Sequence, residues 1–187
     1  VGGSWSSPQV IDSNCDTGWF GLKDIYATPQ GEVKVLFFRV NQLLEMQRIA
    51  AGTWTAPTIV HPDIPTYGWF VFPTGKYDHT GGLHFAYDNT NPSGTTHQVI
   101  YRSRRLDGSF TEKQIVPAEI RNGFIMELGP DDSVHFAWQE GYIRNDPSGN
   151  WSNVLPTGGS MADMAVRADG TVIIVGGSGF SIKYRDS

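Results

Sequence analysis

The chain has 187 residues and a formal net charge of −5 at pH 7. This acidic balance argues against a nucleic-acid partner, because nucleic-acid-binding domains normally carry a basic stripe. The longest apolar stretches have the length of strands and fall far short of a spanning helix, so we expect no membrane insertion. The single cysteine, Cys15, excludes an internal disulfide framework.

One short phrase occurs four times along the chain: a glycine, a small polar residue, an aromatic ring and a hydroxyl residue. The rings of the four copies are Trp5, Trp54, Phe110 and Trp151. They are separated by 49, 56 and 41 residues, and counting from the last ring past the C-terminus to the first again gives 41. Self-similarity at about 40–50 residues is typical of solenoids, propellers and arrays.

Each phrase leads into the same predicted order of strands. The phrase opens an outer strand, predicted at Trp5–Ile11, Trp54–Val60, Phe110–Val116 and Trp151–Pro156. An inner strand follows, starting at 18–20, 68–70 and 123–125 and continuing through 23–27, 71–72, 126–128 and 163–167. After a Gly- or Asp-containing turn comes a nearly continuous apolar strand, predicted at 33–37, 83–87, 134–138 and 172–176. A third strand ends each repeat on a basic residue, at Arg48, Arg102, Arg144 and Arg185.

The last repeat stops before an outer strand, whereas the first residues supply an outer strand with nothing before it. We therefore predict an all-β fold, a four-bladed β-propeller of four-stranded antiparallel blades. In this fold the N-terminal strand closes the last blade, which removes two unpaired sheet edges. A single domain covers 1–187, with blades at about 18–60, 67–116, 122–156 and 160–187 plus 1–11. A monomer and a homodimer, in which two chains form an eight-bladed ring, both remain open, as does a piece of a longer protein.

Several segments resemble the repeats of sialidase-type and related carbohydrate-active propellers, namely Leu83–Tyr87, Tyr101–Arg104 and Asp107–Phe110. The segment Asn145–Trp151 is similar to the Asp-box of that group, with its glycine one place late. The same strand pattern occurs in some propeller lectins and polysaccharide lyases. The resemblance implies a propeller whose ligands gather around the channel, at the end that carries the outer-to-inner loops and the loops between the second and third strands.

At that end the insertion Asp88–His97 is the longest departure from the repeat, and loops on a rigid scaffold commonly house binding. Exposed rings would stack on a pyranose while acids, amides and guanidinium groups bond its hydroxyls. The predicted ligand-binding residues are Trp19, Trp69, Asp63, Tyr67, Asn89, Asn91 and Arg121. The alternative, which we weigh more heavily for the two tryptophans, is packing between blades.

No catalytic string is evident, but four residues are candidates for acid–base work: Glu127, His84, His135 and Tyr87. The two histidines occupy equivalent places in their repeats, where a hydrogen-bonded packing role is the favoured alternative. No cofactor is expected, apart from a possible channel cation at Asp24 and Asp163, which are also equivalent. The recurring arginines are interpreted as structural partners of neighbouring carboxylates rather than as a clamp for acidic sugars.

The composition and the loops favour a non-catalytic recognition module of lectin type, whose partner is a glycan or glycoconjugate. The alternatives are a glycan-cleaving enzyme, either a hydrolase or a polysaccharide lyase, and a scaffold for protein contacts alone. The chain shows no signal peptide, yet its mix of tryptophan, glycine and proline predicts an extracellular, cell-surface or virion-surface location.

Overall fold

A computed structural model describes the backbone over most of the chain. The described residues are 7, 9–11, 13, 21–28, 30–39, 41–49, 52–62, 64, 73–89, 97–120, 123–158, 161–176 and 181–185. Over these ranges the regular structure consists of strands, and no helix is long and apolar enough to cross a membrane. The predicted all-β class is confirmed.

The strands follow one another along the chain in the predicted order. Their bounds are β1 Leu22–Ala27, β2 Val33–Arg39, β3 Gln42–Arg48, β4 Thr58–His61, β5 Thr74–Tyr77, β6 Leu83–Asp88, β7 Val99–Arg104, β8 Gln114–Ile115, β9 Ile125–Leu128, β10 Val134–Trp138, β11 Gly141–Asn145, β12 Leu155–Pro156, β13 Met161–Val166, β14 Val172–Gly176 and β15 Ser181–Arg185.

In the described ranges these strands form four antiparallel meanders. The first sheet is β1-β2-β3-β4, the second β5-β6-β7-β8 and the third β9-β10-β11-β12, while the fourth contains β13-β14-β15. The turn between the first and second strands of a sheet, which we call the inner turn, has the same backbone bonds in all four sheets. Positive φ angles occur in it at Gly31, Gly81, Asp132 and Gly170, as the turn chemistry predicts.

The repeated phrase forms the turn between the third and fourth strands. Its glycine has a positive φ at Gly52, Gly108 and Gly149, a conformation that side chains with a Cβ rarely adopt. The backbone of the aromatic residue that follows forms an isolated β-bridge with the third strand, and the regular part of the outer strand begins only four residues later. The outer strands are therefore shorter than predicted, and the phrase Gly3–Ser6 lies outside the described residues.

The sheets stack face to face in chain order, which makes the arrangement propeller-like. Inner strand β1 contacts β5, β5 contacts β9, and β9 contacts β13. Between the first two sheets lies a core that includes Phe38, Leu43 and Phe85, and between the second and third lies one built around Val99 and Phe136. These side chains come largely from the central strands, which explains why those strands are apolar on both faces.

The far face of the first sheet is also buried, although the second sheet does not cover it. Val35, Phe37, Leu44 and Met46 are each at most 7% exposed there. Ile11 and Trp54 pack against this cluster. The first sheet therefore carries two buried faces, as an internal layer of a stack does.

Two details of the predicted pattern were wrong. The inner strand of the second sheet lies at Thr74–Tyr77, later than the predicted 68–72, whose residues are outside the described part. The pairing register also shows that the arginines predicted to end the third strands are not equivalent. Arg48 and Arg185 oppose the first residue of their central strands. In the second and third sheets that place belongs to Arg104 and Asn145, not to Arg102 and Arg144. The prediction ended the third strand of the second sheet at Arg102, but β7 continues for two further residues to Arg104.

Candidate functional site

Most of the predicted ligand-binding residues lie outside the described part of the chain. This applies to Trp19, Trp69, Asp63, Tyr67, Asn91 and Arg121. Asn89 is described, and its backbone amide donates to the carbonyl of Gln98 at 2.7 Å. That bond closes the base of the long loop, so the backbone of Asn89 anchors the loop.

Two of the acid–base candidates are held by structural contacts. Glu127 on β9 forms an ion pair with Lys76 on β5, with 2.9 Å between Oε1 and Nζ, and so joins two neighbouring inner strands. Tyr87 is 3% exposed within the core between the first two sheets, where its ring packs near His61. Burial raises the pKa of the Tyr87 phenol, which makes it a poor proton donor near neutral pH.

The two histidines lie on the central strands of different sheets, and each is bonded through both ring nitrogens. His84 contacts the Tyr101 hydroxyl at 2.7 Å through Nδ1 and Asp78 at 3.3 Å through Nε2. His135 contacts the Tyr142 hydroxyl at 2.7 Å and the Ser133 hydroxyl at 2.7 Å. Burial lowers the pKa of His84, although Asp78 partly offsets this effect.

The Nε2 partners of the two histidines lie at opposite ends of the inner turn: Asp78 is at the start of one turn, and Ser133 is at the end of the other. In register, Asp78 corresponds to Gly129, and Gly82 corresponds to Ser133. A Cβ built on Gly82 would lie 2.4 Å from Asp78 Oδ2, and one built on Gly129 would lie 2.4 Å from Ser133 Oγ. Each turn thus pairs one polar side chain with one glycine, and the glycine supplies the room for the side chain that reaches the histidine.

The candidate cation ligands share a register position, as predicted, but their carboxylates have different roles. Asp24 opposes Leu36 and Asp163 opposes Val175, which are matching places in their sheets. The Asp24 carboxylate accepts the backbone amide of Tyr77 at 2.8 Å, whereas the Asp163 carboxylate accepts the amide of Met164 at 2.9 Å. Among the described residues no group of three or more His, Cys, Asp or Glu side chains could hold a metal ion.

A cleft of about 400 Å³ lies between the third and fourth sheets, on the side of their inner turns. Its polar wall includes Asp131, Arg144, Ser152 and Asp169, and His135 lies at its base. The Arg144 guanidinium donates to Asp131 Oδ2 through Nη2 at 2.5 Å, and the two side chains are 39% and 47% exposed. The Nε of Arg144 has no hydrogen-bond partner in the described part of the chain.

Both carboxylates of this cleft are ionised at neutral pH. Burial acts to raise the pKa of Asp131, but bonds from Ser133 and the nearby Arg144 together bring it below the ordinary value. The amide and hydroxyl of Thr171 lower the pKa of Asp169. With one guanidinium and two carboxylates, the charged groups of the wall leave one net negative charge and present both donors and acceptors.

The charged pair in this cleft breaks the repeat. In the second sheet the positions of Asp131 and Arg144 are occupied by Thr80 and Ser103. These two residues line a second cleft of about 450 Å³ at the inner turn of that sheet. Sequence reasoning noted Arg144 as a repeated residue and predicted a carboxylate partner, which is correct, but it missed the cleft. A position-by-position comparison of the four inner turns would have singled out Asp131 and Asp169.

The described clefts lie at the end of the sheets opposite to the predicted binding end. In an antiparallel meander the inner turns and the phrase turns share one end, while the loops carrying Asn89 are at the other. A third cleft of about 280 Å³ is formed by the inner-strand ends around His79, Pro130 and Arg167. The prediction of a channel-mouth site falls on loops that are largely outside the described residues.

No family model matches the chain, and no curated protein matches it either. A crystal structure of a protein of unknown function from Bacteroides caccae is similar, with a TM-score of 0.52 and 10% identity over 92% of this chain and 62% of that one. Virginiamycin B lyase from Staphylococcus aureus, in its selenomethionine form, aligns with a TM-score of 0.46 at 13% identity, covering 92% of this chain and 72% of that one. A catalytically inactive form of that lyase with quinupristin gives 0.45 at 13% identity, over 93% and 72%. The first likeness is one of fold alone.

Proposed function

We propose that this chain is a non-catalytic recognition module that binds glycans. The observation that carries the proposal is the state of the candidate acid–base groups, each of which is engaged in a contact that supports the fold. Glu127 joins two inner strands through Lys76, and both histidines use both ring nitrogens within their own sheets. Hydrolysis of a glycosidic bond normally needs two carboxyl groups placed on either side of the scissile bond, whereas Glu127 is the only carboxyl group among the four candidates and is paired with Lys76.

Glycans are the ligand class that the available surfaces suit best. The predicted loop residues Trp19 and Trp69 would offer rings for stacking, and the amides of the 88–97 loop would bond hydroxyls. The cleft between the third and fourth sheets adds a polar wall that carries two carboxylates and a guanidinium group. On this proposal the protein works outside the cell or at a surface, where glycoconjugates are presented.

We further propose that the four sheets form a closed four-bladed propeller in which the N-terminal segment completes the fourth sheet. One feature supports this architecture: the outer face of the first sheet is buried, and Ile11 packs against it. Deleting residues 1–11 should then lower the melting temperature by several degrees, because it uncovers Val35, Phe37 and Met46. An unchanged melting temperature would count against closure.

A glycan array probed with the whole chain, with Trp19→Ala and with Trp69→Ala tests the function. Binding of the parent chain that falls in both variants, while Ile115→Ala binds normally, is the expected result; Ile115 is 55% exposed on an outer strand and serves as the matched control. Product analysis on the bound polysaccharides belongs to the same experiment. Absence of glycan binding, or release of reducing-end or unsaturated products, would refute the proposal, and the second result would identify a hydrolase or lyase.

A further inference from the structure

The cleft between the third and fourth sheets has a feature that stability does not explain. An ion pair as exposed as Asp131–Arg144 contributes little to folding, since water and salt screen it. The second sheet folds in the same way with Thr80 and Ser103 at the two positions. Asp131 also accepts from Ser133 in the inner turn, but its pairing with Arg144 has no counterpart in the second sheet and lines a cavity, which points to a ligand.

The walls of the cleft discriminate between ligand charges. The wall carries one net negative charge, which disfavours an anionic ligand, while a cationic group would lie near the guanidinium of Arg144. A hydroxyl suits both, because it donates to a carboxylate and accepts from a guanidinium at the same time. Two adjacent hydroxyls on a sugar ring offer one such group to Asp169 and one to Arg144, which line the same cleft.

The guanidinium also has capacity left for a ligand oxygen. Nη2 is bonded to Asp131, but Nε lacks a partner within the described residues. The Nε itself is shielded from solvent, although the side chain as a whole is 39% exposed, so a ligand oxygen meets it only when the guanidinium turns towards the cleft. The volume of about 400 Å³ lies in the range of small-ligand sites, and His135 at the base is held by Ser133 and Tyr142, so the floor is fixed.

We propose that this cleft is a subsite for a neutral sugar, which binds through a pair of neighbouring hydroxyls to Arg144, Asp131 and Asp169. The subsite lies at the opposite end of the sheets from the predicted loop aromatics. It rests on the proposed glycan-binding function and adds a second point of contact, with a preference for uncharged over acidic sugars. A glycan long enough to reach both ends, or two glycan chains, would occupy the two places together.

The test uses methyl glycosides of glucose, galactose, mannose and fucose, with methyl glucuronide and methyl glucosaminide as the acidic and cationic comparisons. Binding is followed by saturation-transfer NMR and by titration of the Arg144 Nε–H resonance in the whole chain. We expect a neutral glycoside to shift this resonance, and we expect its affinity to fall by about tenfold in Arg144→Gln and in Asp169→Asn.

Matched controls are available in the second sheet. Arg105→Gln removes the same charge from an exposed turn, and Asp107→Asn alters an exposed carboxylate that, like Asp169, accepts the amide two residues onward. Both controls should bind the neutral glycoside as the parent does. Melting temperatures within a few degrees of the parent establish that the four variants are folded.

The outcomes separate this inference from the function it rests on. If glycans bind and depend on Trp19 and Trp69, yet Arg144→Gln and Asp169→Asn leave every sugar affinity unchanged, the subsite is wrong and the recognition function stands. If the acidic glycoside binds as tightly as the neutral ones, the charge argument fails. If neither the glycan array nor the glycosides give binding, both proposals are overturned.

Discussion

Replacing Gly129 by alanine is the sharpest probe of how the inner turn holds its histidine. Gly129 has an ordinary negative-φ backbone, so alanine would bring no backbone strain. The new Cβ would lie 2.4 Å from Ser133 Oγ, 2.7 Å from Asp131 Oδ1 and 2.9 Å from His135 Nε2. These contacts are too short to persist, and the side chains that must move are those that bond to one another around the buried imidazole.

The expected cost has two parts. Overpacking at a buried site costs about 1–3 kcal/mol, and a buried nitrogen that loses its partner costs about 1–3 kcal/mol. We therefore expect Gly129→Ala to lower the free energy of unfolding by at least about 2 kcal/mol, which corresponds to roughly 4–8 °C in melting temperature for a chain of this size. Urea denaturation and calorimetry measure both quantities.

A double-mutant cycle identifies the cause. Ser133→Gly removes the nearest atom, so the double variant should be more stable than the sum of the two single effects by about 1 kcal/mol or more. Gly149→Ala is the control, because its cost comes from a φ of 87° with nothing within 4 Å of the new Cβ, and Ser133→Gly should not relieve it. Strict additivity for the Gly129 pair would refute the steric reasoning.

Three further predictions follow from the buried polar contacts. Tyr142→Phe leaves the Nδ1 of His135, which is 3% exposed, without its hydroxyl partner and should lower the free energy of unfolding by about 1–3 kcal/mol in urea denaturation; a cost below about 0.5 kcal/mol would contradict this. Burial lowers the pKa of His84 from its ordinary 6.5, so the unfolded chain takes up this proton first as the pH falls. The contribution of His84 to the free energy of unfolding is therefore complete above about pH 6.5 and declines towards the folded pKa. Across pH 5–7 the free energy of unfolding should change less steeply with pH in His84→Asn than in the parent, and an identical slope would be inconsistent with this assignment. The guanidinium of Arg104 is 19% exposed and bonded to Glu45 at 2.6 Å, and Glu45→Gln removes its counter-ion. Calorimetry should show that the free energy of unfolding falls by about 3 kcal/mol. A change within error would mean that the pair is solvated.

The strand pattern was predictable because its signals are local. The apolar central strands β6, β10 and β14 begin and end close to where the alternation of turns and apolar runs indicated. Gly170 and Asp132 have positive φ angles, which the sequence predicts because glycine and aspartate tolerate this conformation in tight turns. The inner strand β5 was misplaced because Trp69 and Phe70 form a stronger apolar signal than Thr74–Tyr77, which contains a glycine and a lysine.

The candidate site was less accessible to sequence reasoning, because it depends on register and on neighbours from other sheets. Arg104 and Arg102 are two residues apart in one strand, yet Arg104 reaches Glu45 of the first sheet while Arg102 bonds the carbonyl of Thr111 and covers the Phe110 ring. A pattern of letters cannot separate these roles. The exchange of side chain and glycine around the two histidines is likewise visible only when distances are known.

The claim that the chain recognises glycans without cleaving them is tested most directly by one titration. Isothermal calorimetry with an oligosaccharide selected on the array, followed by mass spectrometry of the recovered ligand, should give saturable, reversible binding and a ligand of unchanged mass. Heat that continues after saturation together with shortened or unsaturated products would contradict the account, and so would the absence of any binding heat.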